Sequence, residues 1–291
     1  MTGTAAEQWQ EVGDRVLVRR HRSLDLNVGL VLGEGACLVV DTRSSEAEGR
    51  DLADAVRRVT PHPWVVVDTH AHFDHCFGNA VFRPAQVWGH RRCAENLQVY
   101  GEVQRRLMAA AYRGQGQPET AEQIEATRID PPEELVDDVA PVTVGGRPVH
   151  LRHLGRGHTD NDLVVVVPDA AVLFAGDLVE QGAPPAFGDA FPLDWPGTLD
   201  ALLELVEGPV VPGHGAVVDR EYVLAQRADI ARTAELARAA YADGRSIDAA
   251  LADMPFPEPY ARPAVERAYR QLRGYPPHDP PEEVLRRAGV S

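Results

Sequence analysis

Short apolar runs separated by turn residues dominate the first forty positions of the chain. From Asp14 to Asp41 the order is RVLV, LNVGLVL, a Gly-Glu-Gly turn and CLVVD, a rhythm that predicts antiparallel strands. Over Glu46 to Val59 the spacing changes. Leu52, Ala55, Val56 and Val59 recur at helical intervals with charges between them, which predicts a helix. Trp64 to Asp68 (WVVVD) is a continuous β-prone run and predicts a strand buried on both faces. Gln86 to His90 predicts another short strand. From Arg91 to about Arg128 the pattern is polar and helical, with Gly and Pro interruptions between Arg113 and Pro118.

The second half repeats the alternation. Val142 to Val149 reads as a hairpin around Gly145-Gly146, and strands follow at Val149 to Leu154, Leu163 to Val167 and Ala171 to Ala175. Gly182 to Pro196 is a Gly/Pro-rich loop leading to a helix at Thr198 to Val206. Val210 and Val211 then enter a turn at Pro212 to Gly215. Beyond Asp219 the chain is mostly helical and rich in Ala, Arg and Glu, up to a Pro-rich break (Tyr275 to Pro281) and a last helix. Two successive sets of strands and helices predict two sheets covered by helices. We divide the chain into residues 1–219, with a helical insertion at about 91–132, and a C-terminal helical extension, 220–291, packed on the same domain.

With 291 residues, 44% of them hydrophobic, the chain has enough material for one sizeable core, or one core with a small helical annex. The longest apolar runs are far too short to span a bilayer. MTGTAAEQWQ lacks a basic patch followed by an apolar stretch, so no signal peptide is expected and the reading is a soluble, cytoplasmic protein. The net charge of −15 argues against a nucleic-acid partner. All 29 basic residues are Arg, which excludes a Schiff-base or P-loop lysine. Cys37, Cys76 and Cys93 form no disulfide framework, and buried thiols are the expectation. A small-molecule substrate is the expected partner; the sequence does not decide the oligomeric state.

The chemistry concentrates in THAHFDH, Thr69 to His75, directly after the WVVVD strand. Histidines at i and i+2 on an extended segment project to the same side, and a following turn brings Asp74 and His75 close by. Imidazole nitrogens and carboxylate oxygens are the ligands zinc accepts. Three further positions repeat the theme at strand ends: His158 in GRGHTD, Asp177 in LFAGD and His214 in VPGHG. Singly they read as a loop histidine, a helix N-cap and a turn residue; together they favour one shared site.

This ordered set resembles the metallo-β-lactamase fold superfamily, over roughly Asp14 to Asp219. The resemblance implies an αββα four-layer sandwich of two mixed β-sheets flanked by helices, with the metals at one edge of the sheets. It further implies two zinc ions, with iron or manganese as alternatives. His70, His72 and His158 would hold the first and Asp74, His75 and His214 the second, with Asp177 bridging. Asp41, closing CLVVD, matches a supporting aspartate. An aspartate at position 177 is similar to the glyoxalase II-like hydrolase branch rather than to true β-lactamases, and His72 differs from the Glu usual in flavo-diiron proteins. The implied reaction is attack of a metal-bridging hydroxide, oriented by Asp74, on the carbonyl of a thioester, lactone, ester or amide. Thr69, Thr159 and Asp41 are candidates for hydrogen bonds to the ligand imidazoles.

Substrate contacts are harder to read. Residues 91–132 carry Tyr100, Arg105, Arg106, Met108, Tyr112 and Arg113, either a substrate-binding face or an exposed helix. Phe187, Phe191 and Trp195 either line a hydrophobic entrance or staple their loop to the core. His90 reads as structural, and His21, His62, His150, His153 and His278 lack ligand spacing. No set matches the glutathione-binding residues of glyoxalase II. A mononuclear iron dioxygenase of the persulfide type, using His70, His158 and Asp177, is the alternative on the same fold. A nuclease is a more distant one.

Overall fold

The computed structural model describes residues 8–279 and 281–290. The first sheet has seven strands in sequential order: β1 (Trp9–Gly13), β2 (Val16–Arg20), β3 (Asn27–Leu32), β4 (Cys37–Val40), β5 (Trp64–Val67), β6 (Val87–His90) and β7 (Glu134–Val136). Its first four strands are antiparallel, and β4 to β7 run parallel to one another. In the second sheet, β8 (Val139–Val144), β9 (Arg147–Arg152), β10 (Val164–Val167) and β11 (Val172–Glu180) are antiparallel neighbours, and β12 (Val210–His214) lies parallel to β11.

Strand alternation decides what lies between the sheets. Val16, Val18, Val31, Leu38, Val40 and Val67 of the first sheet meet Val144, Val149, Leu151, Val165, Val167 and Phe174 of the second in one core. The alternate positions Val28, Leu30, Cys37, Val39 and Val66 face outward onto α1 (Glu46–Val59) and α3 (Asn79–Phe82), through Leu52, Val56 and Phe82. On the far side, Val164, Leu173 and Ala175 pack on α6 (Trp195–Leu203) and α7 (Arg220–Ala242), with Ala264 of α9 (Glu258–Leu272). The layers are αββα, as the resemblance implied. The helix over 46–59 begins where Ser45 caps it: the hydroxyl accepts from the Glu48 amide, and Glu48 accepts from the Ser44 amide.

The insertion forms α4 (Arg91–Gly114) and α5 (Pro118–Glu125), and the C-terminal part adds α8 (Ile247–Leu251) and α10 (Pro281–Ala288), which packs on α4. Several expectations change. The edge strands β1 and β7 carry little apolar signal and are absent from the pattern reading. Trp64 and Val65 are only partly buried, so WVVVD is not covered throughout. The strand expected to stop at Ala175 runs on to Glu180, and that expected to stop at Val211 runs on to His214. Asp177 therefore sits inside a strand rather than after one. Gly176, with φ +52, lets that strand bend past Thr69, whose side chain lies 2.9 Å from where a Cβ would be.

Candidate metal centre

The parallel pairs β4/β5 and β11/β12 end at the same edge of the sandwich, and their ends carry the predicted residues. Asp41 follows β4, Thr69 to His75 follow β5, Asp177 lies in β11 and His214 closes β12. Residues 73–76 form one short helical turn, α2 (Phe73–Cys76), which folds Asp74 and His75 back beside His70. The ligand-type atoms of His70, His72, His158 and Asp177 lie within 4.8 Å of one another, and so do those of Asp74, His75 and His214. All seven predicted residues are thus brought together.

Asp177 stands between the two sets. One carboxylate oxygen, Oδ2, is 3.2 Å from His214 Nε2, 3.4 Å from His158 Nε2 and 3.7 Å from His70 Nε2. The other, Oδ1, is 3.3 Å from His75 Nε2 and buried without a hydrogen bond. Burial alone raises a carboxyl pKa; here the surrounding His214, His75, His70 and His158 outweigh it and hold Asp177 well below the usual range.

The outward nitrogens of the rings fix which way the inward ones face. His75 Nδ1 donates to Asp41 Oδ2 (2.8 Å), His158 Nδ1 to the Ala186 carbonyl (3.2 Å) and His214 Nδ1 to the Leu24 carbonyl (2.8 Å). His72 Nε2 donates to Asp189 (3.1 Å). The Thr69 hydroxyl donates to Asp41 (2.9 Å), so it accepts from His70 Nδ1 (3.1 Å). A neutral imidazole with its proton on the outer nitrogen presents a lone pair on the inner one. His72 Nδ1 consequently faces His70 Nε2 at 3.0 Å and His158 Nε2 at 2.9 Å, lone pair toward lone pair. That arrangement is repulsive by itself and suits a cation at the centre. Protons are the competitor. Burial disfavours the charged rings, yet Asp189 and Asp74 raise His72 to about 9, and Asp177 and Asp74 raise His214 to about 10.

Residues 24–214 match the family model of the metallo-β-lactamase superfamily. The chain belongs to that superfamily. It is 27% identical to a metallo-β-lactamase type 2 of Bacillus cereus over 207 residues, 67% of this chain and 70% of the relative. It is also 28% identical to the acyl-coenzyme A thioesterase MBLAC2 of Bos taurus over 220 residues, 72% of this chain and 76% of the relative. Among solved structures, the sec-alkylsulfatase Pisa1 from Pseudomonas sp. superposes with a TM-score of 0.73 at 18% identity. That match covers 94% of this chain, which spans about half (51%) of the alkylsulfatase. The DIM-1 metallo-β-lactamase gives a TM-score of 0.57 at 17% identity over 76% of this chain and 95% of its own. These two structural likenesses carry the fold alone. This is a metallo-hydrolase superfamily whose members normally bind metal ions, and the His and Asp groups here are placed for metal binding. Neither the superfamily match nor the lactamase and thioesterase relatives single out the glyoxalase II-like branch.

Other expectations divide. Asp41 and Thr69 support ligand-type imidazoles as expected. Thr159 does not: its hydroxyl and amide bind Asp162 (2.6 and 2.9 Å) and stiffen the loop instead. His90 is structural, its Nδ1 accepting from the Arg92 amide at the start of α4 and its Nε2 donating to the Asp137 carbonyl. Phe187, Phe191 and Trp195 are buried and staple their loop to the core. Arg105, Arg106 and Arg113 pair with Glu102 and Glu125 on the exposed side of the insertion.

Residues that sequence reasoning missed support the site from a distance. Asp189 lies 117 positions from His72, in a loop without local signal. Buried Arg267 of α9 holds that loop by donating to the Asp189 and Ala190 carbonyls (2.7 and 2.8 Å). Both 91–132 and 182–196 do line the adjoining cavity of about 910 Å³, through Tyr100, Leu107, Met108, Ala183, Ala186 and Asp189 among others. No helix among the described residues is long and apolar enough to cross a membrane.

Proposed function

We propose that the protein is a dinuclear zinc hydrolase that cleaves a thioester, lactone, ester or amide. The observation that carries this reading is the convergence of five imidazoles, each tied by its outer nitrogen, on Asp177 and Asp74. His70, His72 and His158 would hold one ion and Asp74, His75 and His214 the other, with Asp177 serving both. When bound, two zinc ions supply Lewis acidity, bringing the pKa of water toward neutrality and polarising a carbonyl oxygen. The chain's own part is to fix the donors. Asp74 Oδ2, 3.5 Å from His214 Nε2 and 3.7 Å from His75 Nε2, places a carboxylate on the cavity wall, where it orients the attacking water. The complete second set of donors favours this reading over the mononuclear iron site.

The test is a hydrolysis panel on metal-quantified protein, spanning thioesters, lactones, a chromogenic cephalosporin and phosphodiesters. About two zinc per chain and turnover of a carbonyl substrate are expected. One iron per chain with oxygen-dependent thiol oxidation would overturn the proposal, as would His72→Ala that leaves hydrolysis unchanged.

The Asp189 contact gives a separate prediction. Asp189→Ala frees the outer nitrogen of His72 and is expected to weaken zinc retention by about 10–100-fold, the usual cost of losing such a support. Competition with a chromogenic chelator measures it. Retention equal to that of the unsubstituted protein would show that Asp189 does not orient His72.

A further inference from the structure

We propose that the cavity beside the metal centre is a binding channel for the straight aliphatic chain of an acyl substrate, an inference that rests on the hydrolase reading above. The cavity, about 910 Å³, begins at His72, Asp74, Asp177 and His214 and extends to Tyr100 on α4 and Val284 on α10. One stripe of α4 forms its long wall. Asn96, Tyr100, Val103, Gln104, Leu107 and Met108 recur at spacings of three and four, one face of a helix. Most of this stripe (Asn96, Tyr100, Gln104, Leu107 and Met108) is only partly buried, although its carbon-rich side chains suit an apolar neighbour. From Tyr100 to Met108 the helix rises about 12 Å. That is the reach of an extended chain of roughly eight to ten carbons, at slightly less than one bond length per carbon. Phe73, Ala186 and Pro277 add apolar surface around it.

Charge decides what kind of chain fits. Asp25, Asp189 and Asp279 also line the cavity but are already paired, with Arg20, with His72, and with Arg270 and Arg287, so they offer an incoming group no free charge. Its two arginines are already engaged. Arg267 donates through all three nitrogens to the Ala190, Pro277 and Asp189 carbonyls, and Arg270 donates to the Pro276 carbonyl and to Asp279. With no lysine anywhere in the chain, no lining Lys or Arg remains free to pair a substrate carboxylate or phosphate away from the metal centre. A neutral methylene chain needs no such partner and gains from burial against the carbon-rich wall.

The C-terminal segment closes the wall. Tyr100 donates its hydroxyl to the Asp279 carbonyl (3.2 Å) and packs its ring on His278, with centroids 5.2 Å apart. Asp279 is in turn clamped by Arg270 (2.6 Å) and Arg287 (2.8 Å). This wall of the channel is thereby built from parts of the chain far apart in sequence, α4 and the strap after α9.

Two measurements on the intact, zinc-loaded protein test this. The first is hydrolysis of a homologous series of straight-chain acyl esters or thioesters that share one leaving group. The ratio kcat/KM is expected to rise about three- to fourfold per methylene, roughly a hundredfold from butanoyl to octanoyl. Leu107→Trp, which fills the wall, is expected to lower the octanoyl-to-acetyl ratio at least about tenfold. The second is equilibrium binding of 1-butanol, 1-hexanol and 1-octanol, which needs no turnover and is expected to tighten by the same factor per methylene. Rates and affinities that do not change with chain length would overturn the channel. Length-dependent binding of the alcohols without hydrolysis of any acyl substrate would support the channel and overturn the hydrolase reading instead.

Discussion

Asp177→Ala is expected to reduce bound zinc from about two per chain to one or less and to lower kcat/KM for the best substrate by roughly 100- to 1000-fold, the scale of losing one preorganised electrostatic partner. The reason lies in its position. Both oxygens are used: Oδ1 faces His75 at 3.3 Å, while Oδ2 faces His214 at 3.2 Å and His158 at 3.4 Å. Among the described residues no other carboxylate lies within 4.0 Å of histidines of both sets; Asp74 meets only His75 and His214. Its removal leaves a cluster of imidazole lone pairs with Asp74 as the single remaining carboxylate in the two donor sets. Asp177→Asn separates charge from shape, because the amide keeps the volume and loses the negative charge. It is expected to follow the alanine variant in metal content. If the Asp177→Asn variant keeps both ions and its rate, the shared-carboxylate assignment fails. Circular dichroism on each variant distinguishes loss of metal from loss of fold.

Much of this site was legible because its chemistry is local. Thr69 to His75 packs four of the seven predicted positions into one turn after a strand, a density that packing does not explain. His158, Asp177 and His214 were legible only as companions, since each has an ordinary reading alone. The apolar runs between Asp14 and Asp41 likewise marked the antiparallel strands, whose alternate positions Val28 and Leu30 face the helices while Val31 faces the other sheet. What stayed hidden depends on contacts between distant positions. Asp189 reaches His72, and Arg267 reaches Asp189, across 117 and 78 residues, with nothing in either local sequence to mark the pairing. The stripe on α4 was visible as a helical pattern, but whether it meets protein or a cavity is settled by where α10 lands. The edge strands β1 and β7 form because a neighbouring strand offers hydrogen bonds, and few apolar side chains are needed for that.

Gly213→Ala is expected to damage the site far more than the fold. The sequence shows Gly213 beside His214 and invites the reading of a turn glycine, yet the residue lies in β12, and the adjoining Pro212 is in register with Gly176 of β11. A Cβ at position 213 would sit 1.7 Å from Asp177 Oδ1, well inside contact distance. The carboxylate is the more movable partner, so it swings away and the backbone stays. Overpacking of this kind costs about 1–3 kcal/mol of stability. A displacement of about 1 Å at a catalytic group costs on the order of 100-fold in rate. The expected result is therefore a melting temperature lower by a few degrees, together with loss of zinc and of most activity. Gly197→Ala is the matched control, since Gly197 lies in α6 with nothing within 4 Å of its absent Cβ. It is expected to be neutral or slightly stabilising, because alanine suits a helix better than glycine. Should Gly213→Ala retain full zinc and full activity, Asp177 does not occupy the place between the two sets of donors, and the dinuclear assignment loses its centre.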